Sequence, residues 1–172
     1  MLSDVHKSFL DAGSDAITTN SYGVTPGVGF SEAEITKHVA TAGKIARDVA
    51  NAYSTQKLVL GSLGPLVESY RPDLILDPPE KGVKMYTTVA ETLSPYVDVF
   101  IAETMSCVKE SSQAIKAVGR LNKDNRCPMI VSYTLDSDGN LRDGDPATNA
   151  VEKTLAMSRE NNVECKHLFY TG

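Results

Sequence analysis

Val97-Asp98-Val99-Phe100-Ile101-Ala102-Glu103-Thr104 is the stretch on which the fold turns. A short, largely apolar run is closed by a carboxylate and a hydroxyl. A strand buried on both faces reads this way, as a continuous run rather than an alternating one. Helical stripes flank it: Val83, Tyr86, Val89, Ala90 and Leu93 upstream, and Val108, Ile115, Val118 and Leu121 downstream. One step further out lie two more strand-like runs, Leu58 to Leu63 ending at Gly64-Pro65, and Pro128 to Tyr133. Beyond these, Asp15 to Asn20 reads as a first strand, and Asn161 to Cys165 opens a fifth.

The remaining segments supply helices with start signals. Val5, Phe9 and Ala12 recur at helical spacing, with Ser3 or Asp4 as the N-cap and Gly13 as the C-cap. Ser31 stands three residues before Glu34, a capping-box spacing, ahead of the stripe Ile35, Val39, Ala42, Ala46 and Val49. Asp145-Pro146 reads as an N-cap and first-turn proline for a helix over 147–159. About five parallel strands alternating with helices follow from this pattern, an α/β chain. It suits part of a (β/α)8 barrel or a doubly wound sheet. No Gly-x-Gly-x-x-Gly follows a strand, which weighs against a dinucleotide fold.

The chain has 172 residues, 41% hydrophobic and 23% charged, with a formal net charge of −5. Such a chain has no electrostatic reason to hold nucleic acid or an anionic membrane. Arg120, Lys123 and Arg126 read as a solvated helix end. No apolar run approaches the ~20 residues of a bilayer span. Three cysteines, Cys107, Cys127 and Cys165, are too few and too scattered for a disulfide framework. A reducing, cytoplasmic setting is the expectation. A full barrel takes about 250 residues, so the whole of 1–172 is expected to be one partial barrel domain, truncated at both ends.

In either architecture, chemistry gathers where strands end. Those ends carry Thr18 to Tyr22, Ser62, Glu103 with Thr104, Ser132 to Thr134, and Cys165. Glu103 needs a cation or donors, because a lone buried carboxylate is costly. A lysine or arginine of the barrel could supply that cation, or a ligand ammonium group could. Cys165 reads on position alone as packing. Cys127 reads as structural and Cys107 as a loop residue near the next helix. His6 and His38 read as helix-surface residues.

Together these strings resemble the homocysteine S-methyltransferase family. Asp4-Val5-His6, Leu10-Asp11-Ala12-Gly13-Ser14-Asp15-Ala16-Ile17-Thr18-Thr19-Asn20-Ser21-Tyr22, Gly61-Ser62-Leu63-Gly64-Pro65 with Tyr70, Glu103-Thr104 with Lys109-Glu110, Leu141-Arg142-Asp143-Gly144 and Val163-Glu164-Cys165 carry the resemblance in order. It implies a TIM barrel that moves a methyl group to the sulfur of homocysteine, giving methionine. It implies a zinc held by three cysteines, which keeps that sulfur a thiolate. It makes Cys165 a metal ligand and Glu103 the anchor for the substrate ammonium, with Thr104 beside it. Asn20, Ser21 and Tyr22 become the pocket wall near the donor, and Ser132 a neighbouring strand-end contact.

The sequence departs from the family in having no Gly-Gly-Cys-Cys string, no Asp-Gly-Gly first strand, and Glu164 where the family has Asn. His167 is a remote second ligand candidate. Homocysteine and a methyl donor are the implied partners. A sulfonium such as S-methylmethionine or S-adenosylmethionine is expected ahead of betaine or methylfolate, since no appended cofactor domain is read. The alternative is a non-catalytic barrel piece that binds or self-associates through uncovered strand edges.

Overall fold

The computed structural model describes residues 1–121 and 128–171, the side chains of 166–171 excepted. Helices and strands alternate: α1 (Leu2–Asp11), β1 (Ala16–Thr18), α2 (Glu32–Asn51), β2 (Leu58–Leu63), α3 (Pro79–Leu93), β3 (Val99–Met105), α4 (Val108–Leu121), β4 (Met129–Thr134), α5 (Ala147–Glu160) and β5 (Cys165–Thr171). The five strands lie in the order β1-β2-β3-β4-β5, each parallel to the next. Sheet order and chain order therefore coincide. A doubly wound sheet reverses its order at a switch point, whereas a barrel does not. The sheet is an arc of a (β/α) barrel.

Alternation along the strands sets two faces. Phe100, Ala102, Met129, Val131, Tyr133 and Leu63 are buried with the helix residues Ile35, Val39, Val83, Tyr86, Leu93, Ile115 and Val118 in one core. Leu10, Ile17, Ala46, Ala50 and Val59 form a second, smaller core under α1 and α2. The other face carries Leu60 and Ser62, Ile101 and Glu103, and Ile130 and Ser132, with Ser62, Ile101 and Ile130 in register across β2, β3 and β4. Burying one such large apolar side chain stabilises by about 1.5–3 kcal/mol. The capping box at α2 forms as its spacing requires, with Ser31 N–H donating to Glu34 Oε2 at 2.9 Å and Glu34 N–H to Ser31 Oγ at 3.4 Å.

Several local expectations need correction. α1 turns His6 and Leu10 inward, not Val5 and Phe9. Val5 is 46% and Phe9 59% exposed, because β1 is the last strand of the arc on that side among the described residues. His6 is 5% exposed rather than a surface residue, while His38 is exposed, its ring tilted against Phe30. α1 starts at Leu2 without a side-chain cap; Asp4 lies in its first turn and pairs with the N-terminal amine. Asp145 does not cap α5. Its carboxylate instead receives Lys153 Nζ at 2.7 Å.

Cys165 opens β5 rather than closing it. α5 runs on to Glu160, Asn162 turns the chain at φ 57°, and Val163 N–H returns to Ser158 C=O. β5 therefore begins only at Cys165. Cys127, Lys123 and Arg126 lie outside the described residues.

Candidate functional site

β3 does not run regularly to its end. Ala102 pairs with Val131 and Met105 with Tyr133, so Glu103 and Thr104 together oppose the single residue Ser132. That is a β-bulge, a device that re-aims a side chain at a strand end. Thr104 sits at φ 62°, a left-handed conformation that a β-branched residue adopts only under compulsion. Glu103, Thr104 and Ser132 are thus brought together by backbone register.

Glu103 is held from the β2 side. Ser62 Oγ donates to Glu103 Oε1 at 2.5 Å. Ser62 is itself fixed, since its N–H donates to Thr19 Oγ1 at 3.0 Å and its C=O accepts from Ser21 Oγ at 3.0 Å. Thr19 Oγ1 and Ser21 Oγ are 2.9 Å apart. The result is a buried chain of hydrogen bonds from β1 through β2 to the β3 carboxylate, and such networks rigidify when every member is satisfied. Sequence reading placed Ser62 at a strand end but gave it no role. A polar residue on the inward-facing parity of an apolar strand was the available signal.

Glu103 and Asn20 both line a cavity of about 600 Å3, together with Thr18, Thr19, Ala16 and the α1 residues Leu2, Val5 and Phe9. His6 borders the same space; its Nε2 is buried without a hydrogen-bond partner, and burial pushes the imidazole pKa down. Ser21 serves the network rather than the cavity wall. Tyr22 leans away, its hydroxyl 2.6 Å from Ser69 Oγ in the loop after β2. That loop also meets the loop after β4, where the Arg142 guanidinium lies 5.2 Å from the Tyr70 ring centroid.

The ion pairs among the described residues engage other carboxylates, and none reaches Glu103.

Cys165 stands at the start of β5. Phe100, Met129 and Cys165 are register partners across β3, β4 and β5. Glu103 lies three residues beyond Phe100, roughly 10 Å along the strand at ~3.3 Å per residue. Cys165 packs against the main core. A structural or catalytic zinc needs at least three protein donors. Among the described residues no three His, Cys, Asp or Glu side chains gather to hold a metal. The residues described here do not fit a zinc ion. Among them, too, no helix is long and apolar enough to cross a membrane.

The fold has counterparts in known proteins. The metallated form of the homocysteine methyltransferase MmuM from Escherichia coli is 24% identical, with a TM-score of 0.79 over 98% of this chain and 61% of that one. Its apo form is 23% identical with a TM-score of 0.71, over 98% of this chain and 60% of that one. The chain thus spans about three fifths of the length of MmuM, and identities this low speak for the fold alone. A comparison with curated proteins finds no match. The sequence model of the homocysteine S-methyltransferase family matches residues 1–165, and the chain belongs to that family.

Proposed function

We propose that residues 1–172 form one partial barrel domain whose strand ends bind homocysteine for methyl transfer, giving methionine. The observation that carries this is Glu103: a carboxylate with no cationic partner among the described residues, clamped by Ser62 and open to a cavity. A fixed carboxylate at such a wall suits an ammonium group, and charge-assisted hydrogen bonds to it are among the stronger polar contacts. Thr104 and Ser132 flank that anchor. Asn20 lies on the wall where a donor would approach. Ser21 holds the wall through Ser62, and Tyr22 ties the same loop to Ser69.

The chemistry proposed is in-line displacement on a sulfonium donor, S-methylmethionine or S-adenosylmethionine. The homocysteine sulfur forms the new S–CH3 bond as the donor's S–CH3 bond breaks. The bonding electrons stay on the donor sulfur, which leaves as a neutral thioether, and the thiol proton passes to water. What these residues contribute is orientation, the term that converts a bimolecular encounter into a positioned one. No step is assigned to zinc, because among the described residues no three His, Cys, Asp or Glu side chains gather to hold it.

That same mismatch favours a second reading, a module that binds the amino acid without transferring methyl. In this second reading, exposed Val5 and Phe9 beside β1, an edge strand among the described residues, support self-association. The proposed setting is cytoplasmic. Methyl transfer from S-methylmethionine to L-homocysteine, followed by methionine release, separates the readings. Turnover supports the enzyme; saturable homocysteine binding without turnover supports the module; neither defeats both.

A further inference from the structure

The turn that follows Glu103 is held by a second carboxylate, Glu110, in the first turn of α4. Ser106 N–H donates to Glu110 Oε2 at 2.9 Å. Ser106 is two residues past Thr104, whose φ of 62° defines the kink that aims Glu103. Both Ser106 and Glu110 are buried, Glu110 at 5% exposure. Glu110 borders a space of about 10 Å3, the size of a single water, roofed by Leu66, Val67 and Leu74 to Leu76 of the loop after β2.

We propose that Glu110 is a positioning residue: by gripping the Ser106 N–H it fixes the turn that aims Glu103, so that amino-acid capture at the strand ends follows the charge on Glu110. This rests on the reading of Glu103 as an ammonium anchor. Burial pushes the Glu110 carboxyl up to about 7, with the Ser106 N–H pulling the other way. The charge therefore changes in the neutral range. The ionised form accepts from Ser106 more strongly than the neutral form, by the general advantage of charge-assisted bonds.

Around Glu110 stand Tyr86 of α3, Cys107 of its own turn, Glu68 and Arg71 of the roofing loop, and Asp143 beside Cys107. Arg71 is engaged by Asp73 at 2.6 Å, so it does not neutralise Glu110. Cys107 is itself pushed up to about 11, chiefly by burial, and stays a thiol through the neutral range.

The test is L-homocysteine affinity by calorimetry for the wild type and Glu110→Gln, from about pH 5.5 to about pH 8. Glutamine mimics the neutral carboxyl, and the ratio of the two Kd values at each pH cancels the ligand's own titration. The ratio is expected near one at the acid end and about fivefold at the alkaline end. A ratio that stays flat, with wild type binding throughout, overturns the inference alone. Absence of wild-type binding at every pH overturns the reading of Glu103 and the inference with it. The Ser106 amide resonance of the wild type provides a check that needs no variant. It should titrate with a midpoint near 7, as the carboxyl does, and an amide that does not move across that range overturns the proposal.

Discussion

Two carboxylates bracket β3, and they live in opposite circumstances. Asp98, just before the strand, receives Arg47 Nη2 at 2.6 Å and the Val59 N–H at 2.8 Å on the same oxygen. Arg47 also donates to Tyr96 C=O at 2.9 Å. That end of the strand is finished by the fold itself, tying α2, β2 and β3 together. Glu103, near the far end, has a serine on one oxygen, no cation among the described residues, and a cavity beside it. The charge is the same, but one carboxylate is paired with an arginine and, among the described residues, the other has no cation. In a barrel this asymmetry is expected, because the N-terminal face serves stability and the C-terminal face serves chemistry.

The contrast can be broken or sharpened by substitution. Glu103→Gln should weaken L-homocysteine binding by roughly a hundredfold or more, about 3 kcal/mol, with little change in melting temperature. A calorimetric titration beside a thermal melt reads both. Glu110→Gln should act on stability with a defined sign. Glu110 is raised from 4.5 to about 7, so the native state holds its proton more tightly than the unfolded chain does. Wild-type stability should therefore fall as pH rises from about 4.5 through about 7, by up to about 3 kcal/mol, and level off above. The variant should lack that fall in urea titrations across the range. Ionising Glu110 thus costs global stability while tightening one local bond.

Asp98→Asn should cost about 2 kcal/mol in unfolding free energy, since it weakens the Arg47 pair and the Val59 contact together. It should leave the affinity for L-homocysteine within about twofold. A matching loss of affinity would show that the two ends of β3 are not separable. Ser62→Ala removes a single hydrogen bond to Glu103 and should weaken binding by about fivefold, near 1 kcal/mol. The smallest effect is expected at Cys165→Ser, which should leave L-homocysteine binding unchanged with or without added zinc. A zinc-dependent gain lost in that variant would return Cys165 to the site.

How far the sequence could be read follows from the same asymmetry. Central strands buried on both faces declare themselves as apolar runs, so β2 matched its expected bounds and β3 and β4 came within a residue or two at their starts. Edge elements were harder. Val5 and Phe9 keep helical spacing, but spacing cannot say which side of α1 has a neighbour. Glu103, Thr104 and Ser132 were legible as strand ends, yet the bulge that sets them together is a property of pairing, invisible in any one strand. Ser62 was passed over because a serine in a strand is ordinary until its partner is known. Cys165 was misplaced by a strand's length, since the turn at Asn161-Asn162 delays the start of β5. Glu110 entered the sequence reading only as part of the Lys109-Glu110 string; only the roofing loop reveals its burial in the first turn of α4.

The central claim is that Glu103 is reserved for a ligand ammonium group. Its most direct test pairs L-homocysteine with 4-mercaptobutanoate, the same molecule without the amino group, in calorimetric titrations of the wild-type chain. Saturable binding of the amino acid and none of the des-amino compound is the predicted result. Equal binding of the two would contradict the account.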